Sequence, residues 1–259
     1  MARIRTRAWR ALATFTVLLT AVAVISGAHP AAAGAPQRTR PPASQLQQML
    51  DRIVAAGAPG AVGLVWDGRT TERAASGVAD LRTGRPMRTA DRYRVGSVTK
   101  TFVAAVVLQL VGEGVLWLSD PIERWLPGLV PGGAGITVLS PSWAGAAGAI
   151  VSTVEDVARF YRALLGGHLL RPDLLAAMKT TVDAGSGFRY GLGLINGDAP
   201  CATIWGHNGD FLGYFDFAIT NDRVDRQVVL MMNLDDEVNV PPAVDEAFTT
   251  ALLGSFCPA

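Results

Sequence analysis

The sequence predicts an α+β fold in which helices flank an antiparallel sheet. A segment with helical spacing of apolar residues lies near the start of the domain, at 45–56, and a further helix is expected near its end, at 242–253. Short strand-like runs form one group after the first helix and a second group before the last, and further helical segments lie between the groups. The order helix, strands, helices, strands, helix is typical of an α+β sandwich.

The first 33 residues have the composition of a secretory signal peptide. Four arginines precede an uncharged run from Ala11 to Ala28, and small residues fit a signal-peptidase site after about Ala33. An uncleaved membrane anchor is the alternative, because the apolar run approaches spanning length. The cleavage site favours a secreted protein without membrane contact after processing. Residues 34–44, rich in Pro, Ala and Gln, are expected to be a flexible leader to a single domain at 45–259.

The first half of the domain is predicted to contain two helices and a hairpin. Helical spacing of apolar residues indicates a helix over 45–56, and strands are expected at 61–66 and 71–78. Asp67-Gly68 between these strands is a hairpin turn signal. The almost wholly apolar run from Thr101 to Val111 is interpreted as a buried helix that continues from the preceding turn.

The second half is predicted to be two helices around a group of strands. The Gly-rich stretch from Pro131 to Gly135 breaks the chain. A helix over 152–165 opens with Ser152-Thr153-Val154-Glu155, which has the pattern of a capping box. The remaining expected elements are strands at 190–195, 215–220 and 227–232 and a helix from 242 to 253.

Composition excludes several classes of function. A formal net charge of +1 provides no excess of positive charge that would indicate binding to nucleic acid or an anionic membrane. After Ala33 the chain holds only His168 and His207, without His-x-x-x-His or Cys-x-x-Cys spacing, so no metal or other cofactor is expected. A Gly-x-Ser-x-Gly elbow is missing, which argues against an α/β-hydrolase. A Ser-His-Asp triad with His207 stays open, although no spacing supports it.

Two cysteines, Cys201 and Cys257, are the only ones in the chain. In an exported protein such a pair most simply forms one disulfide, which would tie the C-terminus to the segment before Trp205. A catalytic or metal-binding role is not supported, since no second ligand lies near either cysteine.

The strongest chemical signal is Ser97 followed three residues later by Lys100. Lys100 and Lys179 are the only lysines, and arginine supplies every other cationic side chain. An amine can lose its proton when buried, whereas a guanidinium cannot, so a site that needs a basic nitrogen uses lysine. On a helix this spacing places both side chains on one face, where the amine can activate the hydroxyl. The alternative is a helix N-terminus with serine as the cap and lysine in solvent.

Several motifs together carry a family resemblance that covers nearly all of the chain from about residue 45. They are Arg94 to Phe102, Leu118-Ser119-Asp120-Pro121, Ala147 to Phe160, Tyr190-Gly191-Leu192-Gly193-Leu194, Gly206-His207-Asn208-Gly209 and Gly213-Tyr214. In these segments the chain resembles the serine β-lactamase and penicillin-binding protein superfamily, in particular exported D-alanyl-D-alanine carboxypeptidases and class C β-lactamases. The resemblance implies a β-lactamase-like fold.

The resemblance also implies a role for each matching residue. Ser97 would be the acylated nucleophile, and Lys100 would help to take its proton. The strand with His207, Asn208 and Gly209 would replace the Lys-Thr-Gly of the family, although an ordinary strand histidine is the alternative. The backbone N–H groups of Ser97 and Asp210 would form the oxyanion hole. Expected substrates are small peptides, esters or lactams, with the peptidoglycan stem peptide as one candidate.

The chain departs from the family pattern in the helical subdomain. The third family motif, Tyr-x-Asn or a serine equivalent, assists proton transfer to the leaving group, and it is missing here. On the order of a hundred residues of the helical part are absent at about Leu139–Ser140, so this subdomain (about 97–188) is expected to be strongly reduced, exposing apolar surface on 101–111. Tyr190 and Tyr161 are the candidates to replace the missing hydroxyl, but the sequence favours neither.

A second departure concerns the substrate terminus. In the carboxypeptidase branch, an arginine directly after Tyr-Gly-Leu-Gly-Leu helps to bind the terminal carboxylate. Here that position is Ile195, and Asp210 adds a negative charge near the end of the substrate strand. Two functions therefore stay open: an exported serine hydrolase that acts through an acyl-enzyme on Ser97, and a catalytically impaired relic that binds or is acylated without efficient turnover.

Overall fold

The computed structural model describes residues 43–125, 145–185, 187–234 and 240–257. The predicted signal peptide, all but the last two residues of the predicted leader, the Gly-rich break at 131–135 and the predicted deletion point at Leu139–Ser140 lie outside these residues. In the described part, no helix is long and apolar enough to cross a membrane.

A nine-stranded antiparallel sheet forms the centre of the domain. Its strands are β1 (Gly60–Trp66), β2 (Thr71–Asp80), β3 (Arg85–Pro86), β6 (Val182–Asp183), β7 (Arg189–Tyr190), β8 (Ile195–Ala199), β9 (Ala202–Asp210), β10 (Phe215–Asn221) and β11 (Gln227–Met232). Two further strands, β4 (Tyr93–Arg94) and β5 (Val151–Ser152), form a separate pair. The order across the sheet is β3-β2-β1-β11-β10-β9-β8-β7-β6. The last strand in sequence, β11, therefore lies between the N-terminal hairpin and the strands that follow β5.

Helices cover both faces of this sheet. They are α1 (Gln45–Ala56), α2 (Thr99–Gly112), α3 (Ile122–Trp125), α4 (Gly145–Gly148), α5 (Val154–Leu165), α6 (Pro172–Met178) and α7 (Pro242–Phe256). One apolar core joins α1 and α7 to one face, around Leu50, Phe215 and Phe248. A second core joins α2, α5 and α6 to the other face, around Leu108 and Leu164. The predicted α+β sandwich of helices around an antiparallel sheet is confirmed.

The N-terminal helix and hairpin follow their local sequence signals. Ser44 caps α1 by accepting a hydrogen bond from the Gln47 backbone N–H at 3.2 Å. In the β1–β2 turn, the Asp67 carboxylate accepts from the backbone N–H groups of Arg69 and Thr70 at 2.9 and 2.7 Å. These contacts explain why the predicted helix and both predicted strands are found within two residues of their expected ends.

The apolar helix α2 is only partly buried, so the expectation of a buried helix over 101–111 was wrong for one face. Thr101, Ala105 and Leu108 face the core, whereas the Val106 side chain is 55% exposed. The predicted exposure of apolar surface on this segment is confirmed. The physical reason is the reduced helical layer: among the described residues between α2 and α5, only the four-residue helices α3 and α4 are present.

The start of α5 lies one residue later than the predicted capping box. Ser152 belongs to β5, where it pairs with Tyr93, so its backbone cannot also cap the helix. Thr153 is the cap instead, and its hydroxyl accepts from the Asp156 backbone N–H at 3.2 Å. Glu155 forms an ion pair with Arg73 rather than closing a capping box.

The predicted strand at 190–195 is interrupted by a turn. Strand β7 ends at Tyr190 and β8 begins at Ile195, because the Gly191 N–H donates to the Leu194 carbonyl at 2.8 Å and closes the chain between them. Gly193 in this turn has a φ of +73°, which a strand residue does not adopt. This turn places Tyr190 and Leu192 in the wall of the cleft described below.

Candidate active site

The Ser97 turn is fixed by a close approach to strand β9. Gly96 has a φ of +45°, and a Cβ on it would lie 2.6 Å from both the backbone N and O of Asp210. Only glycine fits this contact. The chain then forms a short 3₁₀ turn at Gly96–Val98 and continues into α2. As a result, the Ser97 backbone lies beside the end of β9, as the implied oxyanion hole requires.

The Ser97 hydroxyl pairs with Lys100. The Lys100 Nζ lies 2.6 Å from Ser97 Oγ and 3.0 Å from the Ala147 carbonyl oxygen. Burial lowers the pKa of the Lys100 amine, which favours the neutral form that can accept a proton. Neither the 3₁₀ turn nor α2 has a side-chain cap. The Ser97 hydroxyl therefore contacts the lysine and does not cap the helix.

Strand β9 pairs with two strands over its first half but with only one, β10, near the Ser97 turn. Its pairing with β8 runs from Ala202 to Gly206, where Gly206 lies opposite Ile195, while its pairing with β10 continues to Asp210. Among the described strands, residues 207–209 therefore pair with β10 and not with β8. An extended substrate can pair with a strand edge through main-chain hydrogen bonds.

His207 is a buried, neutral member of this strand. Its Nδ1 lies 2.5 Å from the Asn208 carbonyl oxygen, and its Nε2 lies 2.8 Å from the Tyr190 hydroxyl. Burial, together with the positive charge of Lys100, lowers the pKa of His207 to about 4. Because a carbonyl only accepts hydrogen bonds, Nδ1 carries the proton and Nε2 accepts from Tyr190. His207 thus contacts Tyr190 through its side chain, and its role in the site stays a prediction.

Hydrogen bonds of a buried hydroxyl group connect α2 to α5 and to the turn between β7 and β8. Thr101 Oγ1 donates to the Gly193 carbonyl at 2.6 Å and lies 2.9 Å from the Tyr161 hydroxyl of α5. Because Thr101 directly follows Lys100, these bonds hold the lysine and the Gly191–Leu194 turn in fixed relative positions.

An apolar cleft of about 370 Å³ opens beside Lys100. Its walls come from α2, the segment after it, α4 and the turn after β7. The lining residues are Lys100, Val103, Ala104, Val107, Leu108, Leu118, Ala146, Tyr190, Leu192 and Gly193. These described residues include no Asp, Glu, Arg or His, so the cleft suits an uncharged, apolar part of a ligand.

An acidic side chain that sequence reasoning missed lies beneath the substrate strand. Asp216 of β10 is fully buried, and neither carboxyl oxygen has a hydrogen-bond partner among the described residues. Burial, with a smaller contribution from Asp210, raises the pKa of Asp216 well above its ordinary value. A Cβ on Gly209 would collide with Asp216 Oδ1 and the Val95 carbonyl oxygen, which places the carboxyl directly behind the site. The sequence feature that could have identified Asp216 is an acidic residue at an inward-facing position of a largely apolar strand.

The structure brings together most, but not all, of the predicted residues. Ser97 and Lys100 meet beside the strand segment formed by His207, Asn208, Gly209 and Asp210. Cys201 and Cys257 lie apart from this site, at disulfide-bonding distance with their Cα atoms 5.6 Å apart. Within the described ranges, no group of three His, Cys, Asp or Glu residues is placed to hold a metal ion.

Comparison with known proteins gives a family match over most of the chain. The family model described as Beta-lactamase matches residues 46–140 and 137–249. The two matched segments overlap at 137–140, where the sequence predicts the missing part of the helical subdomain.

Curated relatives match only in part. A segment of 73 residues is 48% identical to the esterase EstB of Burkholderia gladioli, and covers 28% of this chain and 19% of the esterase. A segment of 70 residues is 44% identical to the D-aminopeptidase of Brucella anthropi, and covers 27% of this chain and 13% of that protein. The matched segment thus spans less than a fifth of each relative.

A solved structure extends the likeness to the whole fold. The D-amino acid amidase from Ochrobactrum anthropi SV3, complexed with L-phenylalanine, superposes with a TM-score of 0.70 at 19% identity. The match covers 81% of this chain and 97% of the amidase chain.

Proposed function

The chain belongs to the beta-lactamase family, and on that premise we propose that it is a serine hydrolase that forms an acyl-enzyme on Ser97. The observation that carries the proposal is the 2.6 Å contact between Lys100 Nζ and Ser97 Oγ. The lowered pKa of Lys100 supports its role as the base, because a neutral amine can take the hydroxyl proton.

In the proposed acylation, the Ser97 oxygen attacks a substrate carbonyl while its proton moves to Lys100. The carbonyl electron pair moves to oxygen, and the backbone N–H groups of Ser97 and Asp210 stabilise that charge. Both amides lie at the close contact between Gly96 and the Asp210 backbone. Donors oriented before the reaction stabilise a developing oxyanion most effectively.

The proposed substrates are small esters, amides, peptides or lactams with an uncharged group next to the scissile bond. The described cleft walls contain no Asp, Glu, Arg or His, and Ile195 occupies the position where an arginine would bind a terminal carboxylate. The esterase, aminopeptidase and amidase named above act on related bonds, as their names state. A D-alanyl-D-alanine carboxypeptidase acting on stem peptide, or a β-lactamase, is the more specific alternative.

The protein is also proposed to be exported, with a Cys201–Cys257 disulfide. The basic and apolar N-terminal segment and the pairing distance of the two cysteines support this. Intact mass of the protein from a secreting host checks both points. We expect a chain that starts near residue 34 and has no thiol reactive to alkylation before reduction; a retained N-terminus or two free thiols would contradict the proposal.

The missing Tyr-x-Asn motif favours a second candidate, a relic that is acylated but does not turn over. One experiment separates the two. The mature protein and its Ser97→Ala variant are incubated with a fluorescent penicillin and an ester, and intact mass is followed over time. A transient adduct with product release supports the hydrolase, a permanent adduct supports the relic, and no adduct on the folded wild type contradicts both.

A further inference from the structure

A serine hydrolase of this kind must deliver a proton to the group that leaves. Lys100 accepts the Ser97 proton, but an amine or alkoxide leaves slowly unless it is protonated as its bond to carbon breaks. The described walls of the cleft contain two side chains with an ionisable proton, Lys100 and Tyr190. Lys100 is already engaged with Ser97 and the Ala147 carbonyl.

We propose that Tyr190 is a catalytic residue whose hydroxyl protonates the leaving group, with His207 as the residue that positions it. This inference rests on the proposed function, since it concerns the second half of the acylation step. In the family, the Tyr-x-Asn motif assists proton transfer to the leaving group, and this sequence lacks that motif. The proposal assigns the same role to Tyr190.

The hydrogen-bond pattern around His207 fixes the orientation of the phenol. His207 Nδ1 is held by the Asn208 carbonyl, so Nε2 is an acceptor and the Tyr190 O–H points to it across 2.8 Å. The two rings also pack edge to face, with centroids 5.6 Å apart and an interplanar angle of 87°. The tyrosine ring is therefore held firmly, while its O–H bond can rotate towards a ligand in the cleft.

The protonation states agree with this role. Burial raises the pKa of Tyr190, which keeps the hydroxyl protonated at neutral pH. Since the pKa of His207 lies at about 4, the imidazole is neutral and does not compete as a proton donor. Tyr190 is half-buried with its ring in the cleft wall, whereas Tyr93 and Tyr161 are fully buried in the core and do not line the cleft.

The proposed proton transfers balance. Attack by Ser97 Oγ leaves its proton on Lys100 as an ammonium and forms the tetrahedral intermediate. When the intermediate collapses, the bond from carbon to the leaving nitrogen or oxygen breaks and its electron pair takes the Tyr190 proton. The resulting phenolate recovers a proton from the Lys100 ammonium. The net transfer is one proton from Ser97 to the leaving group, and both Lys100 and Tyr190 return to their starting states.

A Tyr190→Phe variant with a series of leaving groups tests the inference. Phenylalanine keeps the ring packing against His207 and removes only the hydroxyl. Substrates share one N-acetylated apolar amino acid as acyl group and carry p-nitrophenol, ethanol or ammonia as leaving group. We expect kcat/KM to fall about 10²–10³-fold for the ethyl ester and the amide, and much less for the p-nitrophenyl ester, because p-nitrophenolate departs without a proton.

The matched control is Tyr161→Phe, which removes a buried hydroxyl outside the cleft. It is expected to change all three substrates by a similar factor. Equal losses for all three leaving groups in Tyr190→Phe, or no loss, would overturn the role of Tyr190 while Ser97 acylation by the p-nitrophenyl ester still supports the proposed function. Absence of Ser97-dependent acylation in the wild type would overturn both.

Discussion

Asp216 gives the sharpest prediction about stability, because its carboxyl is buried and has no hydrogen-bond partner in the part of the chain that the structure describes. Burial raises the pKa of Asp216, so the folded protein keeps the carboxylic acid to a higher pH than the unfolded chain does. For an acid with a raised folded pKa, stability is present at low pH and falls as pH rises above the unfolded value of 3.8. Asp216→Asn removes this loss, since asparagine does not titrate.

The size of the effect follows from proton counting. While the folded state binds one proton more than the unfolded state, the free energy of unfolding falls by about 1.4 kcal/mol for each unit of pH. The difference in stability between Asp216→Asn and wild type should therefore grow in favour of the variant as pH rises above 3.8, by at most about 1.4 kcal/mol for each unit of pH. The buried asparagine amide changes the stability of the variant by the same amount at every pH. It therefore does not affect how the difference between variant and wild type changes with pH.

Urea unfolding of both proteins at pH 5 and pH 6, followed by tryptophan fluorescence, measures that change. The lowered pKa of His207 gives stability that is lost as pH falls from 6.5 to about 4, but this contribution is common to both proteins and cancels. A stability difference that does not change with pH would refute the reasoning, because it would mean that Asp216 is ionised in the folded protein.

An opposite control is available in the β1–β2 turn. Backbone N–H groups of Thr70 and Arg69 lower the pKa of Asp67 to about 2. Stability from this exposed carboxylate is present above the unfolded value of 3.8 and is lost as pH falls through about 2. Asp67→Asn should therefore be less stable than wild type near neutrality and approach it in acid, the reverse of the Asp216 variant.

Three further predictions concern the site and its supports. Gly96→Ala should abolish Ser97 acylation, because the new Cβ would lie 2.6 Å from the Asp210 backbone. The control Gly84→Ala, also at positive φ but with nothing within 4 Å of the new Cβ, should keep the acylation. Equal acylation of both variants would contradict this prediction. Thr101→Val should destabilise the fold by about 1–3 kcal/mol, since a partly buried carbonyl and a buried phenol lose their partner. Urea unfolding that matches wild type would be the contrary result. Reduction of the proposed Cys201–Cys257 disulfide should lower stability by about 2–4 kcal/mol, and an unchanged urea midpoint after reduction would contradict that estimate.

Local signals in the sequence predicted most of the sheet and the outer helices. Helix α1 was predictable because its apolar spacing and Ser44 cap are contained within the segment, and the β1–β2 hairpin because Asp67-Gly68 forms its turn. Ser97 and Lys100 were predictable for the same reason, since one turn of helix brings them together.

Features that depend on tertiary context were not predictable. The apolar sequence of α2 does not tell which face is covered, and this depends on a helical layer that is reduced here. The true cap of α5 depends on the pairing of Ser152 with Tyr93 across 59 residues of chain. The contact of Tyr190 with His207 depends on β8 lying between their strands, which no local spacing encodes.

The central claim is that Ser97 becomes acylated with Lys100 as its base. Trypsin cuts after Arg94 and Lys100, so the peptide from Val95 to Lys100 isolates Ser97. After incubation with an ester and a rapid acid quench, mass spectrometry should place the acyl group on Ser97 in the wild type and show almost none in Lys100→Arg, in which a permanently protonated guanidinium replaces the amine. An unmodified Ser97 in the folded wild type, or equal acylation in the Lys100→Arg variant, would contradict the claim.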